Sequence, residues 1–186
     1  MLKIDNISFA YGEKKIFESF SLNVEKGDKI WLSGESGRGK TTLIKLLLGL
    51  LKPQSGQIVI KSDAKPSVVF QEDRLLPFKT ALQNILLINP DRQKAIDTLT
   101  ALGLEENINT PVSELSGGMS RRVAIARALT ANFDYLILDE PFTGLDNDNI
   151  RLSIKYILEI AKDKPIILIT HSSAEAELLG AKEIRL

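Results

Sequence analysis

The sequence predicts an α/β protein with a mainly parallel sheet, an amino-terminal antiparallel β subdomain and an inserted α-helical subdomain. Three observations carry that prediction. Short continuous apolar runs recur along the chain, as they do in strands covered on both faces. One of them leads straight into a glycine-rich turn and then a helical pattern. Between Gln71 and about Asn132 the apolar period changes from strand-like to helical.

Leu2, Ile4, Ile7 and then Ile16 to Val24 mix apolar and polar residues at a strand period, with Gly12 and Gly27 marking turns. Lys29 to Ser33 is a short strand, and Lys40 to Leu51 reads as a helix closed by Pro53, Ser55 and Gly56. The runs Gln57 to Ile60, Ser67 to Phe70, Tyr135 to Leu138 and Ile166 to Ile169 are expected as parallel strands. Thr80 to Ile88, Asp91 to Leu102 and Gly118 to Ala131 carry helical spacing, as do Asn147 to Asp163 and Ser173 to Leu179. A last strand, about Glu183 to Arg185, is expected at a sheet edge. The whole, residues 1–186, is expected to be one domain: residues 1–70 and 133–186 form the core and β subdomain, and 71–132 the helical subdomain.

Composition narrows the function classes. With 44% hydrophobic and 26% charged residues, wholesale disorder is excluded. Lys plus Arg and Asp plus Glu number 24 each, so the charge footprint of a nucleic-acid coat is missing and no direct nucleic-acid partner is expected. The absence of cysteine excludes disulfides, thiolate metal sites and a catalytic thiol. No stretch approaches the ~18 apolar residues of a membrane span; the greasiest, Leu43 to Leu51, contains Lys45. The amino terminus lacks the features of a signal peptide, so a soluble, cytoplasmic chain is expected.

Gly34-Glu35-Ser36-Gly37-Arg38-Gly39-Lys40-Thr41 fits the spacing G-x-x-x-x-G-K-[ST], and Thr42 follows. Glycines let the backbone turn tightly and aim N–H groups at phosphate oxygens, and the following helix adds its positive end. Lys40 is placed for the β- and γ-phosphates of a nucleotide and the Thr41 hydroxyl for Mg²⁺. These residues point to a P-loop NTPase core. Downstream, Tyr135-Leu-Ile-Leu-Asp139-Glu140 is an apolar strand ending in two carboxylates. Asp139 suits the Mg²⁺ shell, and Glu140 suits a general base that polarises water. Taken alone, such a pair is usually just solvated.

Leu115-Ser116-Gly117-Gly118-Met119 opens a helix that runs on through Arg122 to Ala128 in the pattern R-x-A-x-A-R-A. Physically, Ser116, Gly117 and Gly118 make a second helix amino terminus suited to an anion. With a phosphate site already complete at Lys40, this one is either redundant or meant for a nucleotide on another chain. Here the sequence resembles the ATP-binding cassette family, the nucleotide-binding subunits of ABC transporters, over nearly its whole length.

The resemblance implies further roles, in order along the chain. Tyr11 resembles the aromatic that stacks on adenine. Gln71, in VVFQEDRLLPF, resembles the glutamine that touches Mg²⁺ and water. Gly144-Leu145-Asp146 resembles a loop that crosses a dimer interface, and His171 resembles the switch histidine on the γ-phosphate. Met119 stands where glutamine is commonest, Arg38 where small residues are usual, and the longer carboxy-terminal portion of many relatives is missing after Leu186.

The implied protein is a Mg²⁺-dependent ATPase working as a head-to-tail homodimer, or as a heterodimer with a similar subunit. It would power transport through a separate transmembrane permease, peripheral on the cytoplasmic face of the cell membrane. Leu75 to Phe78 either anchor that partner or pack the helical subdomain. Glu140-Pro-Phe and the L-P-F-x-T segment look importer-like. A soluble ATPase of the same type, serving DNA repair or cluster assembly, is the alternative, although neither long heptad arrays nor cysteines are present.

Overall fold

The computed structural model describes residues 2–61 and 63–186; Met1 and Ser62, within the expected core segment, lie outside the described residues. The chain opens with β1 (Leu2–Tyr11) and β2 (Lys14–Val24), an antiparallel pair with bulged register. Next come β3 (Lys29–Ser33) and α1 (Lys40–Leu47). α1 is one turn shorter than the expected Lys40–Leu51. Gly49 takes φ 69°, and the N–H groups of Gly49 and Leu50 donate to the carbonyls of Leu46 and Lys45, a Schellman closure that turns the chain away.

The expectation for Gln57 to Ile60 requires correction. This segment lies in β4 (Ser55–Ile60), which pairs antiparallel with β1 to complete a three-stranded sheet β2-β1-β4. Val59 is exposed while Ile58 and Ile60 pack on the core, so only one face is covered. A four-residue apolar run is too short to reveal that difference. β4 approaches β1 so closely that a Cβ on Gly56 would lie 2.3 Å from the Asn6 carbonyl oxygen.

The second sheet is wholly parallel. β5 (Pro66–Val69), β6 (Tyr135–Asp139), β7 (Ile166–Ile169) and β8 (Lys182–Arg185) join β3 in the order β5-β6-β7-β3-β8. β8 is the expected edge. Between β5 and β6 stand α2 (Ala81–Leu86), α3 (Arg92–Ala101) and α4 (Gly117–Thr130), the helices expected between Gln71 and Asn132. α5 (Asn147–Ala161) and α6 (Ser173–Leu179) flank β7 in sequence.

Strand alternation divides the core in two. Leu136, Leu138, Ile166 and Leu168 face α2 to α6, whereas Tyr135, Ile137, Ile167 and Ile169 face α1 and the antiparallel sheet. Burial on both faces explains why β6 and β7 read as unbroken apolar runs. Helix starts are capped as the sequence chemistry suggests: Thr80 and Gln83 form a reciprocal capping box on α2, and the Ser116 hydroxyl accepts from the Met119 N–H on α4.

One buried polar residue organises the loop before α2. The Asn84 carboxamide, wholly enclosed, accepts from the Leu76 N–H at 2.8 Å and donates to the carbonyls of Leu76 and Thr80 at 3.1 and 3.0 Å. Asn84→Leu orphans these groups and is expected to lower stability by about 2–3 kcal/mol in urea unfolding.

Candidate functional site

A cleft of about 530 Å³ opens at the carboxyl ends of β3, β6 and β7, where open α/β sheets receive ligands. Its floor is the turn between β3 and α1. Gly39, the residue before α1, has φ 99°, and a Cβ there would lie 2.5 Å from Ile16 Cγ2 and 3.0 Å from Phe17 Cζ. The turn is thus pressed onto β2, and only glycine meets both the dihedral and the contact. Ser36, Gly37, Gly39, Lys40, Thr41 and Thr42 line the cleft. Gly34 and Glu35 contribute from behind: their carbonyls accept from the largely buried Lys40 ammonium, the Glu35 bond at 3.1 Å. Arg38 is exposed, does not line the cleft, and lies 3.9 Å from the Glu35 carboxylate.

The opposite wall is acidic. Asp139 ends β6 as a buried carboxyl; burial pushes its pKa up, against the pull of Arg121, Lys40 and Arg74. Glu140 takes φ 47°, a left-handed conformation uncommon for a side-chain-bearing residue. Its N–H donates to the Ile169 carbonyl at 2.9 Å, which ties the bend to the end of β7. The carboxylate sits 3.6 Å from Nε2 of the exposed His171. Burial raises the Glu140 pKa, His171 opposes the rise, and the charge of Glu175 adds to it. Gln71 and Tyr11 complete the lining.

Thr41, Gln71 and Asp139 present a hydroxyl, an amide oxygen and a carboxylate, all hard donors of the kind Mg²⁺ takes. Among the described residues no three His, Cys, Asp or Glu cluster as a metal site.

The remaining predicted residues lie elsewhere. Gly117 and Gly118 line an adjoining open depression with Gly144, which shares Gln71 and Thr143 with the cleft, and Ser116 beside them is exposed. A Cβ on Gly118 would lie 3.2 Å from the Gly144 carbonyl oxygen, so the two loops are in close register. The Asp146 carboxylate caps α5, accepting from the Asn149 N–H at 2.8 Å and from its side-chain amide; these bonds hold its pKa below the usual range.

Sequence reading missed several residues. Lys14 and Ile16 join the cleft wall because the β1–β2 hairpin folds Lys14 opposite Tyr11. Thr143 also lines it, and Arg121 binds behind it. The hairpin pairing was a usable signal for Lys14; Arg121 had none.

Comparison with known proteins accords with this geometry. Residues 17–143 match the family described as ABC transporter. The chain belongs to the ABC transporter ATP-binding family. It is 34% identical to the ergothioneine transport ATP-binding protein EgtV of Helicobacter pylori, covering all of this chain and 97% of that one. It is 36% identical to the aliphatic sulfonates import ATP-binding protein SsuB 2 of Pseudomonas syringae pv. syringae, over 98% of this chain and 68% of that protein. Among solved structures, the ATP-binding cassette MJ0796 in a dimeric post-hydrolysis state bound to ADP and Pi superposes with a TM-score of 0.86 at 28% identity, covering all of this chain and 94% of that one. Membership in the ABC family makes the chain an ATP-binding, ATP-hydrolysing cassette.

The contact of the phosphate turn with β2 gives a direct check. Gly39→Ala must relieve the overlap with Ile16 and adopt a strained positive φ. It is expected to weaken ADP binding by at least about tenfold in calorimetry, the equivalent of ~1.4 kcal/mol.

Proposed function

We propose that this cassette hydrolyses ATP in a head-to-tail dimer and thereby drives transport through a separate membrane permease. The observation that carries the reading is the separation of the two anion sites. Lys40 and the phosphate turn line one cleft, while Gly117 and Gly118, beside the exposed Ser116, lie outside it in an adjoining depression that shares only Gln71 and Thr143 with the cleft. A second copy supplies the complement to each. A γ-phosphate then bridges two surfaces that are otherwise weakly held, and its removal separates them, a binding difference between states that does mechanical work.

Within the cleft, Tyr11 offers an aromatic face to the base and Lys40 a cation to the β- and γ-phosphates. Thr41, Gln71 and Asp139 would hold Mg²⁺, which when bound neutralises charge on the phosphate oxygens. Glu140 orients the attacking water as general base; its raised pKa favours proton acceptance, and the imidazole of His171, 3.6 Å away, would contact the γ-phosphate. Asp146, fixed as the cap of α5, faces the partner copy.

The permease contact is assigned to the loop before α2. Leu75 packs against the helical core, whereas Leu76 and Pro77 are exposed and Phe78 is 92% exposed. The two readings of this segment therefore divide along it. The transport and import names of the relatives support a role at the membrane over repair or cluster assembly. No helix among the described residues is long and apolar enough to cross a bilayer.

Glu140→Gln is expected to cut turnover by about 10²–10⁴-fold while leaving ATP binding intact, measured by phosphate release and calorimetry. Size-exclusion chromatography of that variant with ATP is expected to give a dimer. Adding Ser116→Glu to it places a negative charge where the partner's phosphate would dock, and should abolish ATP-driven dimerisation with ADP affinity unchanged.

A further inference from the structure

The residue that links these two surfaces is Arg121, in the second turn of α4. Its side chain is only 3% exposed and spends every N–H on the two loops that carry Gln71 and Glu140. Nε donates to the Pro141 carbonyl at 2.8 Å, and Nη2 to the carbonyls of Asp139 and Glu140. Nη1 donates to the Phe70 carbonyl at 2.6 Å and to the Asp73 carboxylate at 2.9 Å, with Gln71's carbonyl a longer third acceptor at 3.4 Å. One planar guanidinium thus gathers the chain leaving β5 and the chain leaving β6, which are neighbouring parallel strands.

We propose that Arg121 is a positioning residue for hydrolysis: it sets the backbone of Glu140 and of Gln71 from a single rigid point on the helix that begins at the Ser116 turn. Glu140 needs such a support. Its left-handed backbone persists only where the surroundings over-determine it, and its carbonyl is held by Arg121 together with the Thr143 hydroxyl at 3.2 Å. Gln71 is exposed and its loop has little core of its own; Arg127, on the same helix, adds bonds to the carbonyls of Asp73 and Arg74. Because Arg121 stands five residues after Ser116, a shift of the Ser116 turn against a partner's nucleotide reaches both loops of this chain's own cleft.

The inference rests on the ATPase reading above and is tested on the full chain by Arg121→Met and Arg121→Lys. Methionine fills the space without donors, and a lysine ammonium lacks the fork that spans both loops. Turnover per folded molecule is expected to fall about a hundredfold for Met and at least about tenfold for Lys, the scale of a misplaced reacting group. ATP affinity and the dimerisation of each change combined with Glu140→Gln should stay within about threefold of the Glu140→Gln parent. Turnover within twofold of the parent in the folded variants overturns the proposal. So does a loss of ATP affinity that matches the loss of turnover. If Arg121→Met does not fold, Arg121→Lys decides; if neither folds, the role is structural and the proposal fails. Failure of the underlying reading registers separately, as parental turnover in Glu140→Gln alone.

Discussion

The in-register parallel pairing of β3, β7 and β6 is the constraint on which the site depends. Asp139 pairs with Ile169, and Leu138 with Leu168, which lies beside Trp31 on β3. Both faces of these strands are buried, so a one-residue slip would turn each apolar set onto the wrong core. That register brings the phosphate turn, the Asp139-Glu140 bend and His171 to one edge. The same edge is stitched by backbone and side-chain bonds: Glu140 N–H to Ile169, and the Trp31 indole N–H to the Thr170 carbonyl at 3.0 Å.

Burial and charge pull against each other at this edge. Asp139 and Glu140 are pushed toward their neutral forms by desolvation, and the cations nearby, Lys40 and Arg121 for the first and His171 for the second, pull them back. Glu175 is likewise raised by burial, and its carboxylate accepts from the Thr170 hydroxyl just before His171. At both carboxyls desolvation is the larger influence and the neighbouring cations the smaller.

Two helix amino termini with similar anion chemistry serve different surfaces. α1 closes the cleft of its own chain, while α4 presents its first turn outward and commits its second turn to the loops behind that cleft. The phosphate turn and the Ser116 turn of one chain thus border different depressions. Under the proposed head-to-tail dimer a nucleotide would act as a removable bridge, and Arg121 ties the helix behind the Ser116 turn to the loops that carry Asp139-Glu140 and Gln71.

Much of this was readable from the linear sequence. The turn Gly34 to Thr41, the strand ending in Asp139-Glu140 and the Ser116 turn are local devices, in which neighbouring residues specify both backbone and chemistry. Gln57 to Ile60 misled because a short apolar run does not say whether one face or two will be covered, and the neighbour that answers, β1, lies some fifty residues upstream. Arg38 stands in the phosphate turn by sequence, while its exposed side chain does not line the cleft. Arg121 looked like one basic residue among several on a helix; its acceptors lie between 18 and 51 residues away in the chain. The sequence by itself determined which groups can bind phosphate, metal and water, because those depend on residue type at close spacing. Only the tertiary structure decided which of them share a cleft, which face outward, and which buried cation holds them in place, because strand order and side-chain burial are set by contacts between segments that sequence spacing does not encode.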